Sequence, residues 1–185
     1  MIVLKEKKRI TWVTNTAIFI ALLIIFQAAT APLATPVVTG TIVNLLLIIS
    51  VITCGFASGI SVALVSPIVA KLFGIGPLWT LIPFIVVGNV ALISIWYFIG
   101  DREKRKKIRL TYITATITAA AAKSLVLYFG IVRIAIPVFL NLPQSQAEII
   151  SNMFSIPQFI TALAGGVLAT ILLPRLKKIF MRKEK

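Results

Sequence analysis

The residues that could carry out chemistry in this chain are few, and their types exclude most catalytic arrangements. The sequence has no histidine, one cysteine and five acidic residues. A Ser-His-Asp triad and a histidine-based metal site are therefore excluded, and a single cysteine supplies neither a disulfide nor a cysteine-based metal site. A carboxylate proton relay also lacks its groups, because no Asp or Glu lies between Lys7 and Gly100. We predict no catalytic residue, no metal site, no cofactor and no enzymatic activity.

Polar side chains within long apolar segments offer binding chemistry instead. Lys123 lies near the middle of one such segment, and Arg133 lies nearer to its end. A charged group at membrane depth is costly, so it is a functional candidate by default. Because this region offers cations and no buried acid, a ligand with a carboxylate or phosphate is favoured over a cationic one. Depth counted along each helix predicts one polar pocket in the outer half, with the substrate-binding residues Asn44, Trp79, Asn89, Lys123, Tyr128, Arg133 and Gln158.

Most of these candidates have a structural alternative. Arg133, and Lys71 in another segment, could place their charges at the outer interface by snorkelling. The two asparagines could form hydrogen bonds between helices. Tyr128 and Trp79 could belong to an aromatic belt or to the packed interior. Lys123 is harder to explain in this way, because it lies too deep for easy snorkelling and the inner half of the chain offers no acidic partner.

The composition predicts that these segments cross a membrane several times. Hydrophobic residues make up 59% of the chain and the mean hydropathy is +1.03, far above the values of a soluble domain. A net charge of +14 is also found in nucleic-acid-binding proteins. Here, however, most basic residues fall in three blocks, which end at Arg9, span Asp101–Arg109 and begin at Arg175. The positive-inside rule accounts for them, so we predict a lipid bilayer and no nucleic acid as the surroundings.

The three basic blocks also predict the topology, because all of them belong on the cytoplasmic side. An even number of spans must then separate each pair of blocks. The apolar stretch from Thr41 to Phe73 is therefore predicted to form two short helices, with the bend at Gly55–Gly59. The outer loops are then Ala31–Gly40, Gly74–Pro77 and Asn141–Asn152.

These observations predict an all-α integral membrane protein with cytoplasmic N- and C-termini. The whole chain, residues 1–185, is predicted to be one domain, and the pair Trp96-Tyr97 is predicted to lie in the interfacial aromatic belt. The six predicted transmembrane helices span approximately residues 10–30, 41–54, 60–73, 78–99, 110–138 and 153–173.

Small residues in the cytoplasmic half of the first span suggest a helix-docking surface. Ala17 and Ala21 form a small-xxx-small pair that lets another helix approach closely, and Gly165, Gly166 and Ala169 give the last span a similar surface. With six spans and cytoplasmic ends, this pattern resembles the substrate-binding S component of an energy-coupling factor (ECF) transporter. The resemblance extends along nearly the whole chain through Thr39-Gly-Thr-Ile-Val-Asn44, Ser66-Pro67, Gly74-Ile-Gly-Pro77, Pro83-Phe84 and Gly88-Asn89.

The resemblance implies a division of labour between subunits. It implies that this chain binds a vitamin or a related micronutrient with high affinity near the outer face. Ala17 and Ala21 would dock on a transmembrane coupling subunit, and two cytoplasmic ATPases would supply the energy. The chain itself has no phosphate-binding motif of an ATPase. The location implied is a bacterial or archaeal cell membrane, in which the protein is multi-pass.

Two other function classes remain open from the sequence. A self-sufficient secondary transporter usually needs an ion-coupling residue and often an internal repeat, and neither is evident. A small membrane scaffold protein would need no polar residues at pocket depth. The S component is therefore the preferred hypothesis, and the identity of the micronutrient stays open.

Overall fold

The computed structural model describes residues 2–33, 35–76, 78–100, 108–140 and 142–182. Within these ranges the chain forms helices joined by short turns, with no β-strand. Residues 101–107 of the middle basic block lie outside the described residues, as do the last three residues of the C-terminal block. The sidedness drawn from these blocks therefore stays a prediction.

Seven α-helices form the protein in the described ranges, and two of them continue as π-helix. The segment Trp96–Gly100 extends α4, and Tyr128–Phe139 extends α5. Short 3-10 turns lie at Ala31–Leu33 and Trp79–Leu81. The α-helices are α1 (Ile2–Thr30), α2 (Pro36–Cys54), α3 (Phe56–Leu72), α4 (Ile82–Ile95), α5 (Ile108–Leu127), α6 (Gln144–Met153) and α7 (Ile156–Arg182).

The lengths of the helices match an integral membrane protein. Five helical stretches in the described ranges are long and apolar enough to cross a membrane, namely Arg9–Leu33, Pro36–Cys54, Trp79–Gly100, Leu110–Phe139 and Gln144–Leu176. The apolar helix α3 has 17 residues. At 1.5 Å per residue it is about 26 Å long, slightly less than the roughly 30 Å of a hydrocarbon core.

The chain reverses between α2 and α3 at a single glycine. Gly55 has φ 87° and ψ 171°, a conformation that side-chain-bearing residues avoid, and α3 begins at the next residue. The two helices then pack closely, because a Cβ atom on Gly59 would lie 2.6 Å from the Cβ of Val51. This close approach lets the apolar stretch fold back as two antiparallel helices.

Several helix boundaries differ from the sequence-based ones. The first outer loop is shorter than predicted because α2 begins at Pro36, where a proline without an N–H fits the first turn of a helix. The predicted loop Asn141–Asn152 contains α6, whose Gln and Glu residues were interpreted as loop-forming although they are good helix formers. Finally, α7 continues through Pro174 to Arg182, as membrane helices can when neighbouring groups satisfy the backbone.

Two further interpretations of the sequence were wrong. Trp96 is not an interfacial residue but is 0% exposed, and its ring lies 5.6 Å from that of Tyr112 in the core. The small residues of α7 do not form an outward surface either. A Cβ on Gly165 would lie 2.8 Å from the Cβ of Asn44 on α2, and one on Gly166 would lie 2.5 Å from Thr116 Cγ2 on α5. These glycines allow α7 to pack between α2 and α5.

Candidate functional site

A cavity of about 690 Å³ lies at one end of the helix bundle. Its lining comes from the C-terminal parts of α1 and α3, the N-terminal parts of α2, α4 and α7, and the C-terminal half of α5. This alternation means that successive membrane helices run in opposite directions. The cavity therefore lies at the end away from Gly100 and Ile108, which is the predicted outer end. Its volume suits a small organic molecule, since such sites measure about 300–1,000 Å³.

Lys123 is the central polar residue of this cavity. Its side chain is 4% exposed, and its Nζ donates hydrogen bonds to Asn44 Oδ1 at 2.6 Å and to Asn89 Oδ1 at 2.7 Å. A lysine ammonium has three N–H donors, so one remains available. Both asparagines also line the cavity and are almost fully buried. Three helices, α2, α4 and α5, thus bring their polar residues to one point.

Asn44 is held in place from the side opposite Lys123. Its Nδ2 lies 3.4 Å from Thr161 Oγ1 on α7, and the Thr161 hydroxyl donates to the Gln158 carbonyl at 3.1 Å. The absence of a side chain at Gly165 lets α2 and α7 approach at this level. By contrast, no described residue accepts a hydrogen bond from the Nδ2 of Asn89, so this amide can still donate to a ligand.

The charge of the cavity is positive. Lys71 and Lys123 both line it, and none of the described lining residues is an Asp or a Glu. The acidic residue of α6, Glu148, is exposed. It accepts a hydrogen bond from Gln144 Nε2 at 3.2 Å. A buried charge is unfavourable unless it is paired and hydrogen-bonded. Lys123 has the hydrogen bonds but no counter-charge among the described residues.

The structure brings together only part of the predicted site. Asn44, Asn89, Lys123 and Gln158 line one cavity. Three other candidates do not line it: Trp79 is 52% exposed, Tyr128 is partly exposed, and Arg133 is exposed. The Arg133 guanidinium carbon lies 5.5 Å from the centre of the Tyr128 ring, which is a cation–π contact outside the cavity.

Several residues that line the cavity were not predicted from the sequence. Hydroxyl groups at the cavity end join α1 to α2, because Thr39 Oγ1 donates to Thr30 Oγ1 at 2.7 Å and Thr30 donates to the Phe26 carbonyl. Lys71 lines the cavity as well, although its sequence position suggested snorkelling. Threonine and serine are common in membrane helices and usually bond to their own backbone, so their presence alone carries little signal.

A comparison with protein families shows to which family the chain with this cavity belongs. The family model described as "ECF transporter, substrate-specific component" matches residues 12–176 of the chain. The chain belongs to this family. No curated protein and no solved structure matched it. ECF substrate-specific components, or S components, are the binding subunits of transporters and not enzymes, so this multi-pass membrane protein has a transport role.

The S component presents its predicted docking surface on the outside of the bundle. Ala17 and Ala21 are exposed, while Thr16, Phe19 and Leu23 face inward. Thr16 fixes this rotation of α1 through a buried hydrogen bond of 2.8 Å between its Oγ1 and Ser58 Oγ on α3. The alanine pair is therefore not used in packing within the S component.

Proposed function

We propose that this S component binds a vitamin or related micronutrient that carries a carboxylate or phosphate, with high affinity, in the cavity around Lys123. The observation that carries this proposal is the ammonium of Lys123, which has two amide oxygens as partners and no acidic residue near it in the described lining. An anionic ligand group would accept a hydrogen bond from the remaining N–H of Lys123 and supply the counter-charge. Asn89 Nδ2 would donate a second hydrogen bond to the same group.

The low-dielectric surroundings favour such a ligand strongly. Charge-assisted hydrogen bonds are roughly twice as strong as neutral ones, and the attraction between opposite charges grows when water is excluded. A cationic ligand would instead be repelled by Lys123 and Lys71 together. The apolar residues that line the rest of the cavity, such as Ile82, Ile85 and Leu127, would cover the hydrocarbon part of the molecule.

We also propose that the S component delivers its ligand to an ATP-driven importer. A transmembrane coupling subunit would dock on the face of α1 that carries Ala17 and Ala21, and two cytoplasmic ATPases would complete the assembly. The exposure of both alanines supports this placement, because small residues let helices of two subunits approach closely. The membrane would be that of a bacterium or an archaeon.

A ligand panel tests the binding proposal. The protein, purified in detergent, is expected to melt at a higher temperature with at least one anionic vitamin and to show no shift with cationic thiamin. A ligand at a hundredfold excess over its dissociation constant stabilises the folded state by about 2.7 kcal/mol. Mass spectrometry of the purified protein is expected to identify a co-purified molecule with a carboxylate or phosphate. Stabilisation by cationic ligands alone would contradict the proposal.

The docking proposal predicts a separation of binding from transport. Changing both Ala17→Leu and Ala21→Leu is expected to lower uptake with the coupling subunit and ATPases about tenfold or more, because the added side chains hold the subunits apart. Ligand binding by the purified variant should be retained. The matched control, Ala28→Leu with Ala29→Leu, enlarges exposed residues of α1 near the cavity end and should transport normally. Gradient-driven uptake into liposomes that hold the S component alone would refute the assembly.

A further inference from the structure

The wall of the cavity formed by α3 carries a second group of polar residues that the Lys123 site does not use. Ser66, Pro67, Ala70 and Lys71 all line the cavity, and their spacing of one and four residues places them on one face of α3. Ser66 is 1% exposed. Its hydroxyl has no hydrogen-bond partner among the described residues.

Several other serines of the bundle form hydrogen bonds within their own helices. The hydroxyls of Ser50 and Ser124 donate to carbonyls of their own helices at 2.8 and 2.9 Å, as does that of Ser61 at 3.0 Å. Pro67, next to Ser66, has no N–H to donate to the backbone. Because Ser66 lines the cavity, its hydroxyl is available to a group that enters it.

The hairpin geometry gives the separation between this wall and the Lys123 site. Val51 and Gly59 pack together, and each is four residues from the reversal at Gly55. Asn44 and Ser66 are each eleven residues from Gly55, so they lie at the same level. Lys71 is five residues further along α3, which places it about 7.5 Å closer to the cavity mouth than Asn44 and Lys123.

We propose that the cavity holds an elongated molecule with two anionic groups. One group is bound by Lys123 and Asn89, with the Ser66 hydroxyl at the same level on α3, and the other is bound by Lys71. This inference rests on the proposed function, because it assumes that Lys123 binds an anion. It adds the substrate class: a dicarboxylate, or a molecule with a carboxylate and a phosphate. The two cations and the absence of acidic groups in the described lining favour two negative charges over one.

A matched pair of probes tests this inference. Heptanoate and heptanedioate differ only in a second carboxylate. The two carboxylates of the extended dianion are about as far apart as the rise of roughly 7.5 Å from Ser66 to Lys71 along α3. With the full-length protein in nanodiscs, isothermal titration is expected to give heptanedioate at least tenfold tighter binding than heptanoate, which corresponds to about 1.4 kcal/mol.

Four variants test which residues cause the difference in affinity between the two probes. Lys71→Met is expected to weaken heptanedioate about tenfold, so that the ratio between the probes approaches one, and Lys71→Arg is expected to restore the ratio. Ser66→Ala should weaken heptanedioate about threefold, as the loss of one neutral hydrogen bond does. Arg175→Met, which removes an exposed cation at the other end of the bundle, should keep the wild-type ratio.

The outcomes separate this inference from the proposed function. Equal affinities for the two probes in the wild-type protein, with loss of both in Lys123→Met, would overturn the two-anion substrate class and leave the Lys123 site standing. A tenfold preference that survives in Lys71→Met would also overturn it. Failure of both probes to bind at millimolar concentration would overturn the anion site itself and the inference with it.

Discussion

Replacing Lys123 with methionine is expected to weaken binding of an anionic ligand at least a hundredfold. Methionine has nearly the same length and fills the same space, but it removes the only charge in contact with Asn44 and Asn89. Removing one partner of a buried charge pair typically costs 2–5 kcal/mol, and about 2.8 kcal/mol corresponds to a hundredfold change. The dissociation constant is to be measured by isothermal titration on the variant and the wild type.

The same substitution distinguishes a binding role from a structural one. A lysine at membrane depth costs roughly 2.5–3.5 kcal/mol on insertion, and methionine does not carry that cost. The Lys123→Met protein without ligand is therefore expected to melt no lower than the wild type, although two amide oxygens lose a partner. The control Arg175→Met should bind normally, since it removes an exposed cation far from the cavity. Wild-type affinity in Lys123→Met would show that the ammonium is structural.

Substituting Gly165 with valine is expected to impair both stability and binding. Its Cβ would lie 2.8 Å from Asn44 Cβ and 2.9 Å from the Thr41 carbonyl oxygen, and backbone cannot move aside as a flexible side chain can. Overpacking of this kind typically costs 1–3 kcal/mol. Because α2 must shift away from α7, Asn44 is expected to lose its alignment with Lys123, which lowers ligand affinity about tenfold through that hydrogen bond.

A neighbouring substitution on the same helix provides the comparison. Val167→Leu also adds volume to α7, but Val167 is 53% exposed and faces away from α2. Its melting temperature and its ligand affinity should match the wild type. If Gly165→Val melts and binds as the wild type does, then the close approach of α2 and α7 does not position Asn44. The two readouts are measured on the same detergent-solubilised preparation.

The depth of the polar residues in the helix bundle could be predicted from the sequence, but the direction in which each side chain points could not. Counting residues along the helices placed Asn44, Asn89 and Lys123 in the outer half of the bundle, and they meet in one hydrogen-bonded group. Tyr128 was assigned to the same pocket, yet five residues along an α-helix correspond to a rotation of about 140° from Lys123. The π-helix that begins at Tyr128 changes the rotation of the residues after it, including Arg133.

The errors elsewhere have related physical causes. Trp96 has the amphipathic side chain of a belt residue, but its burial depends on the helices that surround it. The π-helical segment that begins at Trp96 packs against α2 and α5. The small residues of α1 and α7 look alike in sequence. One set is exposed and the other is covered by α2 and α5, because the rotation of each helix is set by contacts such as the Thr16–Ser58 hydrogen bond. The composition therefore identified the surfaces that consist of small residues, but not the helices that pack against them.

The amide oxygens of Asn44 and Asn89 accept hydrogen bonds from Lys123, and these bonds also matter when the S component holds no ligand. A transport cycle contains a stage without cargo, and at that stage a bare ammonium in a hydrocarbon environment would destabilise the fold. Asn44 and Asn89 take over most of the role of hydration, so the vacant subunit keeps its shape.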